Sequence, residues 1–257
     1  MDLLHIALGL LSGGLVGFTL GLVGGGGSIL AVSLMVYLVG VPSPHVAIGT
    51  SALAVAVNAA SGLIQHAREH TVKWRCGLIY ALAGIVGALG GSTLGKAVDG
   101  HKLLFLFAVV MIVVGVLMLR SRKAEGDPAV RCDRANAPRV ITFGFGTGAF
   151  SGFFGIGGGF LIVPGLMAAT DMAMINAVGT SLIAVTAFGL TTAANYAFSG
   201  LIDWVLALVL VLGGAAGGVL GTALARRLSD GGKLKIVFAG LIFAVAAYML
   251  WRSGAAL

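Results

Sequence analysis

Residues 4–39 read LHIALGLLSGGLVGFTLGLVGGGGSILAVSLMVYLV, 36 positions without one Lys, Arg, Asp or Glu. As a straight helix this run would measure about 54 Å at 1.5 Å per residue, well beyond the ~30 Å hydrocarbon core of a bilayer. It is nevertheless too short for two full spans and a turn. Its middle holds Gly24-Gly25-Gly26-Gly27-Ser28, and glycine favours an unwound backbone there. Two geometries fit: a broken helix that crosses once, or a hairpin that returns to its own side.

Seven more apolar stretches follow, at about 46–66, 76–95, 103–119, 140–169, 174–198, 204–225 and 236–251. Hydrophobic residues make up 58% of the chain and charged residues 10%, against about 25% charged in a soluble domain. Such a chain cannot coat a globule with polar side chains, and in lipid each segment must satisfy its own backbone hydrogen bonds. The composition therefore predicts an all-α polytopic membrane protein in a lipid bilayer. The 42 glycines follow no Gly-X-Y period, which excludes collagen. The net charge of +7 lies in short loops, as topology-setting charge does, so no nucleic-acid partner is expected. The first Lys or Arg is Arg68, so a secretory signal with a basic leader is not expected either.

Arg120 to Arg139 carries six basic and three acidic residues. Placing that many cations at the bilayer centre would cost roughly 15 kcal/mol, so the segment lies outside the membrane. It divides the chain into a first membrane repeat at 1–120, a polar linker at 121–139, expected to be cytoplasmic, and a second membrane repeat at 140–257. The halves match in register. Gly49-Thr50-Ser51 corresponds to Gly179-Thr180-Ser181, Trp74 to Trp204, and Gly84, Gly87 and Gly91 to Gly214, Gly217 and Gly221. The second half opens with its own glycine break, Gly155-Ile156-Gly157-Gly158-Gly159. Two homologous repeats of about four membrane segments follow.

Charge counting separates the two geometries. Hairpins put the loops at 66–75, 120–139 and 226–235 on one face, with 13 of the 16 Lys and Arg residues. Single crossings split them ten to six. The positive-inside rule favours hairpins, an odd number of crossings per half, and hence inverted repeats.

Inverted repeats with discontinuous helices are a recurrent transporter plan. Breaks entering from opposite sides would meet near the midplane, where exposed amides and short-helix N-termini can hold an anion. The candidate substrate-binding residues are Gly24, Gly25, Gly26, Gly27 and Ser28 with Gly157, Gly158 and Gly159. A polar stripe supplements them: Ser51, Asn58, Ser61 and Gln65 share one helical face, and Thr50 adjoins it. Thr180, Ser181, Thr191 and Asn195 belong to the second half, where Phe188 stands in place of Asn58. His66 reads as an interfacial histidine beside Arg68. The glycines at four-residue spacing (87, 91, 95 and 213, 217, 221) read as packing surfaces, and Trp74 and Trp204 as interfacial anchors. All nine acidic residues lie at segment ends or in loops. Cys76 and Cys132 have no metal-ligand spacing and read as free thiols. No metal, no cofactor and no enzymatic constellation is expected; a hydrolase would need a base, and no His follows His101.

Gly155-Ile156-Gly157-Gly158-Gly159, Pro164 and Ala177-Val178-Gly179-Thr180-Ser181, with the first copy at Gly24 to Gly27 and Ala47-Ile48-Gly49-Thr50-Ser51, resemble the sulfite exporter TauE/SafE family of membrane permeases. The resemblance covers essentially the whole chain. The first copy departs from it with Val32 where the second has Pro164. It implies export of small sulfur-containing anions, sulfite or organosulfonates such as sulfoacetate, across the bacterial inner (cell) membrane by a multi-pass protein. Alternating access at a midplane site between the repeats is the expected mechanism. The readings left open are an ungated anion pore and a non-transporting membrane scaffold. Homo-oligomer formation is also left open.

Overall fold

The computed structural model describes residues 3–24, 28–120, 126–127, 130, 132–133, 136–154, 159–228 and 233–254. Among these the chain forms ten α-helices: α1 (Leu3–Val23), α2 (Ser28–Tyr37), α3 (Pro44–Arg68), α4 (Trp74–Lys96), α5 (Gly100–Arg120), α6 (Ala137–Phe154), α7 (Gly159–Thr170), α8 (Met174–Ala197), α9 (Trp204–Leu228) and α10 (Lys233–Gly254). Five contain stretches long and apolar enough to cross a membrane: Leu4–Val23, Pro44–Arg68, Trp74–Lys96, Met174–Ala197 and Trp204–Ala225. The all-helical, multi-pass expectation holds.

Local chemistry sets several helix ends. Ser43 caps α3, its Oγ accepting from the Val46 N–H at 3.5 Å with Pro44 in the first turn. Asp203 caps α9 in the same way, Oδ1 accepting from the Leu206 N–H at 3.0 Å, as N-cap residues do. Gly200, at φ +69°, turns the chain out of α8, the left-handed stop that glycine makes cheaply.

Close backbone approaches define how the helices run. Gly13 lies against Leu210, Gly17 against Gly214, and Gly21 against Gly218 and Thr222. Both helices advance together, so α1 and α9 are parallel. Gly144, Gly148 and Gly152 meet Tyr80, Gly84 and Ala88 in the same fashion, so α4 and α6 are parallel too. At the centre α3 and α8 are antiparallel, with Gly49 on Tyr196, Gly189 on Ala52 and Ala56, and Gly179 on His66. Along α3, Thr50 lies beside Asp203 and Asn58 beside Leu210, which makes α3 parallel to α9. Since α1 and α3 both point the same way as α9, the ten-residue α2 lies between two helices of one direction.

The packing reading of the spaced glycines is met. Gly87, Gly91 and Gly95 fit over Phe145, Ala149 and Phe153, while Gly213, Gly217 and Gly221 fit over Leu10, Gly14 and Phe18. Without side chains in the way, backbones touch, and in lipid such contact replaces the hydrophobic drive as the source of association. Trp74 and Trp204 are exposed on the outer surface, as anchors require.

One expectation is overturned. Cys76 and Cys132 are not free thiols; they form a disulfide, with Cα atoms 5.3 Å apart. The reason is topological. The chain leaves along α4 and returns along α5, so the linker arrives beside the residues where α4 begins. The same linker pairs with the α7–α8 corner, the Asp127 N–H donating to the Asp171 carbonyl at 2.9 Å. Protein purified without reductant should accordingly take up no maleimide-polyethylene glycol until dithiothreitol is added. A gel shift of the unreduced, denatured chain would remove the pairing.

Candidate functional site

The two Gly-Thr-Ser motifs occupy the second turns of α3 and α8. Because those helices are antiparallel, the motifs stand at opposite ends of the bundle. Thr50 Oγ1 accepts from the Asp203 N–H at 2.9 Å, and Thr180 Oγ1 accepts from the Lys73 N–H at 2.8 Å. Each threonine thus holds the residue preceding a tryptophan that opens α9 or α4. Ser51 and Ser181 donate to Ile48 O at 3.0 Å and Val178 O at 2.7 Å. All four side chains are buried; the threonine hydroxyls hold helix ends, and the serine hydroxyls bond back to carbonyls of their own helices.

Gly24 adopts φ +63°, and a Cβ there would stand 2.6 Å from Ser181 Oγ and 2.8 Å from Val178 O. The break therefore requires glycine for both conformation and space. Ser181 is seven residues into the 24-residue α8, so Gly24 lies about 10 Å in from that helix end, nearer one face than the middle. Gly25, Gly26, Gly27, Gly157 and Gly158 lie outside the described residues; Ser28 opens α2 and Gly159 opens α7.

Beside Gly24, His66 is enclosed by protein near the end of α3. Its exposure is 0%, because antiparallel packing brings Gly179 against it. Its Nε2 lies 3.2 Å from Gly21 O and its Nδ1 3.0 Å from Thr71 Oγ1. Asn176 Nδ2 donates to Thr71 O at 2.9 Å. Imidazole thus ties the last turn of α1 to α3 and, through Thr71, to α8. Gln65 is half-buried next to it.

Midway along the bundle, Asn58 is buried and donates from Nδ2 to Leu210 O at 3.4 Å, with its amide lying over Gly214. Phe188 lies over Gly84 and stacks on Tyr80 at 6.4 Å. Polar and aromatic residues therefore fill corresponding seats.

At the opposite end from His66, Asn195 donates to Ser92 Oγ at 2.6 Å and Thr93 Oγ1 at 3.1 Å. Lys96 Nζ donates to Asn195 Oδ1 at 2.8 Å, Asn195 O at 3.2 Å and Ser199 Oγ at 2.9 Å. Sequence reasoning passed over Lys96 as a loop charge just beyond the stretch at 76–95. Its signal was the i, i+4 pairing of Ser92 with Lys96 and of Asn195 with Ser199. The structure thus gathers Gly24, Gln65, Thr180 and Ser181 at one end, Thr50, Ser51 and Asn195 at the other, with Asn58 between. These are hydroxyls, amides and helix ends, and the hydroxyls of Thr50, Ser51, Thr180 and Ser181 are bonded within the protein. Among the described residues no group of three or more His, Cys, Asp or Glu could hold a metal.

Comparison with known proteins identifies the family. The family described as "Sulfite exporter TauE/SafE" matches residues 9–249. A "Probable membrane transporter protein" of Xylella fastidiosa (strain Temecula1) is 53% identical over 253 residues, covering 96% of this chain and 95% of that protein. "Probable membrane transporter protein YunE" of Bacillus subtilis (strain 168) is 30% identical over 245 residues, covering 87% and 88%. No solved structure matches. Helical bundle, buried polar ends and whole-length relatives together make this a membrane transporter and not an enzyme: the chain belongs to the TauE/SafE sulfite exporter family.

Proposed function

We propose that the protein is a permease of the bacterial inner membrane that exports small sulfur-containing anions, sulfite or organosulfonates such as sulfoacetate. Transport proceeds by alternating access between two inverted repeats, α1–α5 and α6–α10. The observation that carries the reading is the exchange of helices between halves: α1 lies on α9, and its counterpart α6 lies on α4. A twofold axis in the membrane plane relates two such pairs. The Thr50–Asp203 and Thr180–Lys73 bonds support it, since both members of one are 130 residues from those of the other. In this reading the α1–α2 and α6–α7 tips, with Gly24 to Ser28 and Gly157 to Gly159, receive the anion through amides and helix N-termini. Rocking of one repeat against the other opens each end in turn.

The cation-rich face, with the 120–139 linker, is cytoplasmic in this reading. Charge sets orientation during insertion; in the reducing cytoplasm the Cys76–Cys132 pair would rest as a close dithiol, the disulfide being its oxidised form.

Counterflow of radiolabelled sulfite in proteoliposomes, competed with sulfoacetate, sulfate and chloride, tests the proposal. Saturable exchange that accelerates with anion on the opposite side is the expected result. Flux without saturation or counterflow would make the protein a pore. Absence of flux with every anion would leave a scaffold.

A further inference from the structure

At the end of the bundle where α4 and α8 stop, a cation sits among neutral neighbours. Lys96 is the last residue of α4 and is half-buried. The three protons of its ammonium reach two oxygens of Asn195 and the hydroxyl of Ser199, and it stands 5.9 Å from the centre of the Tyr196 ring. Its partners among the described residues carry no negative charge. The C-terminal carbonyls of α8 offset about half a unit of charge at most. A cation at the edge of a hydrocarbon phase whose described partners are all neutral is costly, and a bound anion would relieve that cost.

A second, independent observation concerns the tyrosine itself. Tyr196 is fully buried, and its Oη meets no hydrogen-bond partner among the described residues. The buried Nδ1 of His45, whose ring centre is 6.4 Å from that of Tyr196, meets none either. An unpaired buried donor costs on the order of 1–3 kcal/mol, and native interiors seldom retain two together. Ammonium, phenol and imidazole share one capability: each donates a proton to an oxygen. None supplies the negative charge that the others lack.

We propose that Lys96, Tyr196 and His45 form an anion-binding site at the charge-poor mouth of the permease, built for a compact oxyanion such as a sulfonate head group. Lys96 supplies the charge, and Tyr196 and His45 supply directed hydrogen bonds. The site lies beside Gly49, against which the Tyr196 side chain packs, so it adjoins the Gly-Thr-Ser motif of α3. It gives the exported anion a last station on the face that carries three of the 16 Lys and Arg residues. This inference rests on the permease reading and deepens it.

The test is thermal unfolding of the purified full-length protein titrated with sulfoacetate and with sulfite, using chloride as the ionic-strength control. Wild type should be stabilised in a saturable manner. Tyr196→Phe removes only a hydroxyl with no partner, so it should fold normally, yet need about tenfold more anion for half-saturation, the equivalent of ~1.4 kcal/mol. Lys96→Gln should lose the response, and Lys96→Arg should keep it. Wild-type-like titrations for Tyr196→Phe and Lys96→Gln, with the response abolished by Asn58→Ala, would overturn this site and leave the permease standing. No stabilisation of wild type by either anion would overturn both readings.

Discussion

Gly148→Ala is expected to cut the yield of folded protein several-fold and to lower its unfolding temperature by about 5–10 °C, while Gly146→Ala keeps the yield and raises the unfolding temperature by about 2–4 °C. The two positions lie two residues apart on α6. A Cβ at 148 would meet the Gly84 carbonyl oxygen and Cα of α4, which are backbone and cannot swing away, whereas a Cβ at 146 finds nothing within 4 Å. Overpacking of a tight contact costs about 1–3 kcal/mol or more, and each kcal/mol moves the midpoint of a chain this size by roughly 2–4 °C. Helix propensity argues the other way, since alanine favours a helix over glycine by about 1 kcal/mol, so a fall at 148 reads packing alone. Size-exclusion profiles and thermal melts of fluorescent fusions decide it. Equal behaviour of the two variants would mean that α4 and α6 do not touch through this face.

The second large effect is expected at His66. His66→Leu removes the ring that reaches Gly21 O and Thr71 Oγ1. Gly21 lies within the last four residues of α1, whose carbonyls have no partner inside the helix, so its oxygen loses a buried contact worth about 1–3 kcal/mol. The α1–α2 tip then comes loose from α3. Thermal stability should fall by about 5 °C, and anion counterflow should fall further than stability explains. His66→Gln, able to keep one of the two bonds, should lie between. A His66→Leu protein that melts and transports like wild type would show that the clamp is idle.

Where sequence reasoning succeeded, the partner chemistry was local or repeated. The glycine runs that break the first segment of each half, the four-residue glycine spacing and the apolar lengths are properties of a single helix, and they carried the all-helical fold and the family. Where it failed, the partner was remote. The bond accepted by the Thr50 hydroxyl was not legible because its partner is 153 residues away. The enclosure of His66 was not legible because nothing near it in sequence announces Gly21 or Gly179. Cys76 and Cys132 are 56 residues apart, in segments whose meeting depends on which way α5 returns. Lys96 was hidden differently, by sitting at the boundary between a span and its loop.

The pairing of α1 with α9 also bears on how the protein is made. The small-residue face of α1 enters the bilayer first, but the helix that covers it begins at Trp204, some 180 residues later. At about 5–20 residues per second of synthesis, that face waits roughly 10–40 s beside lipid or the insertion machinery. The α4–α6 contact closes much sooner. Assembly therefore starts across the centre of the chain and finishes by drawing the oldest helix into place, and neither half is complete until the other has been translated.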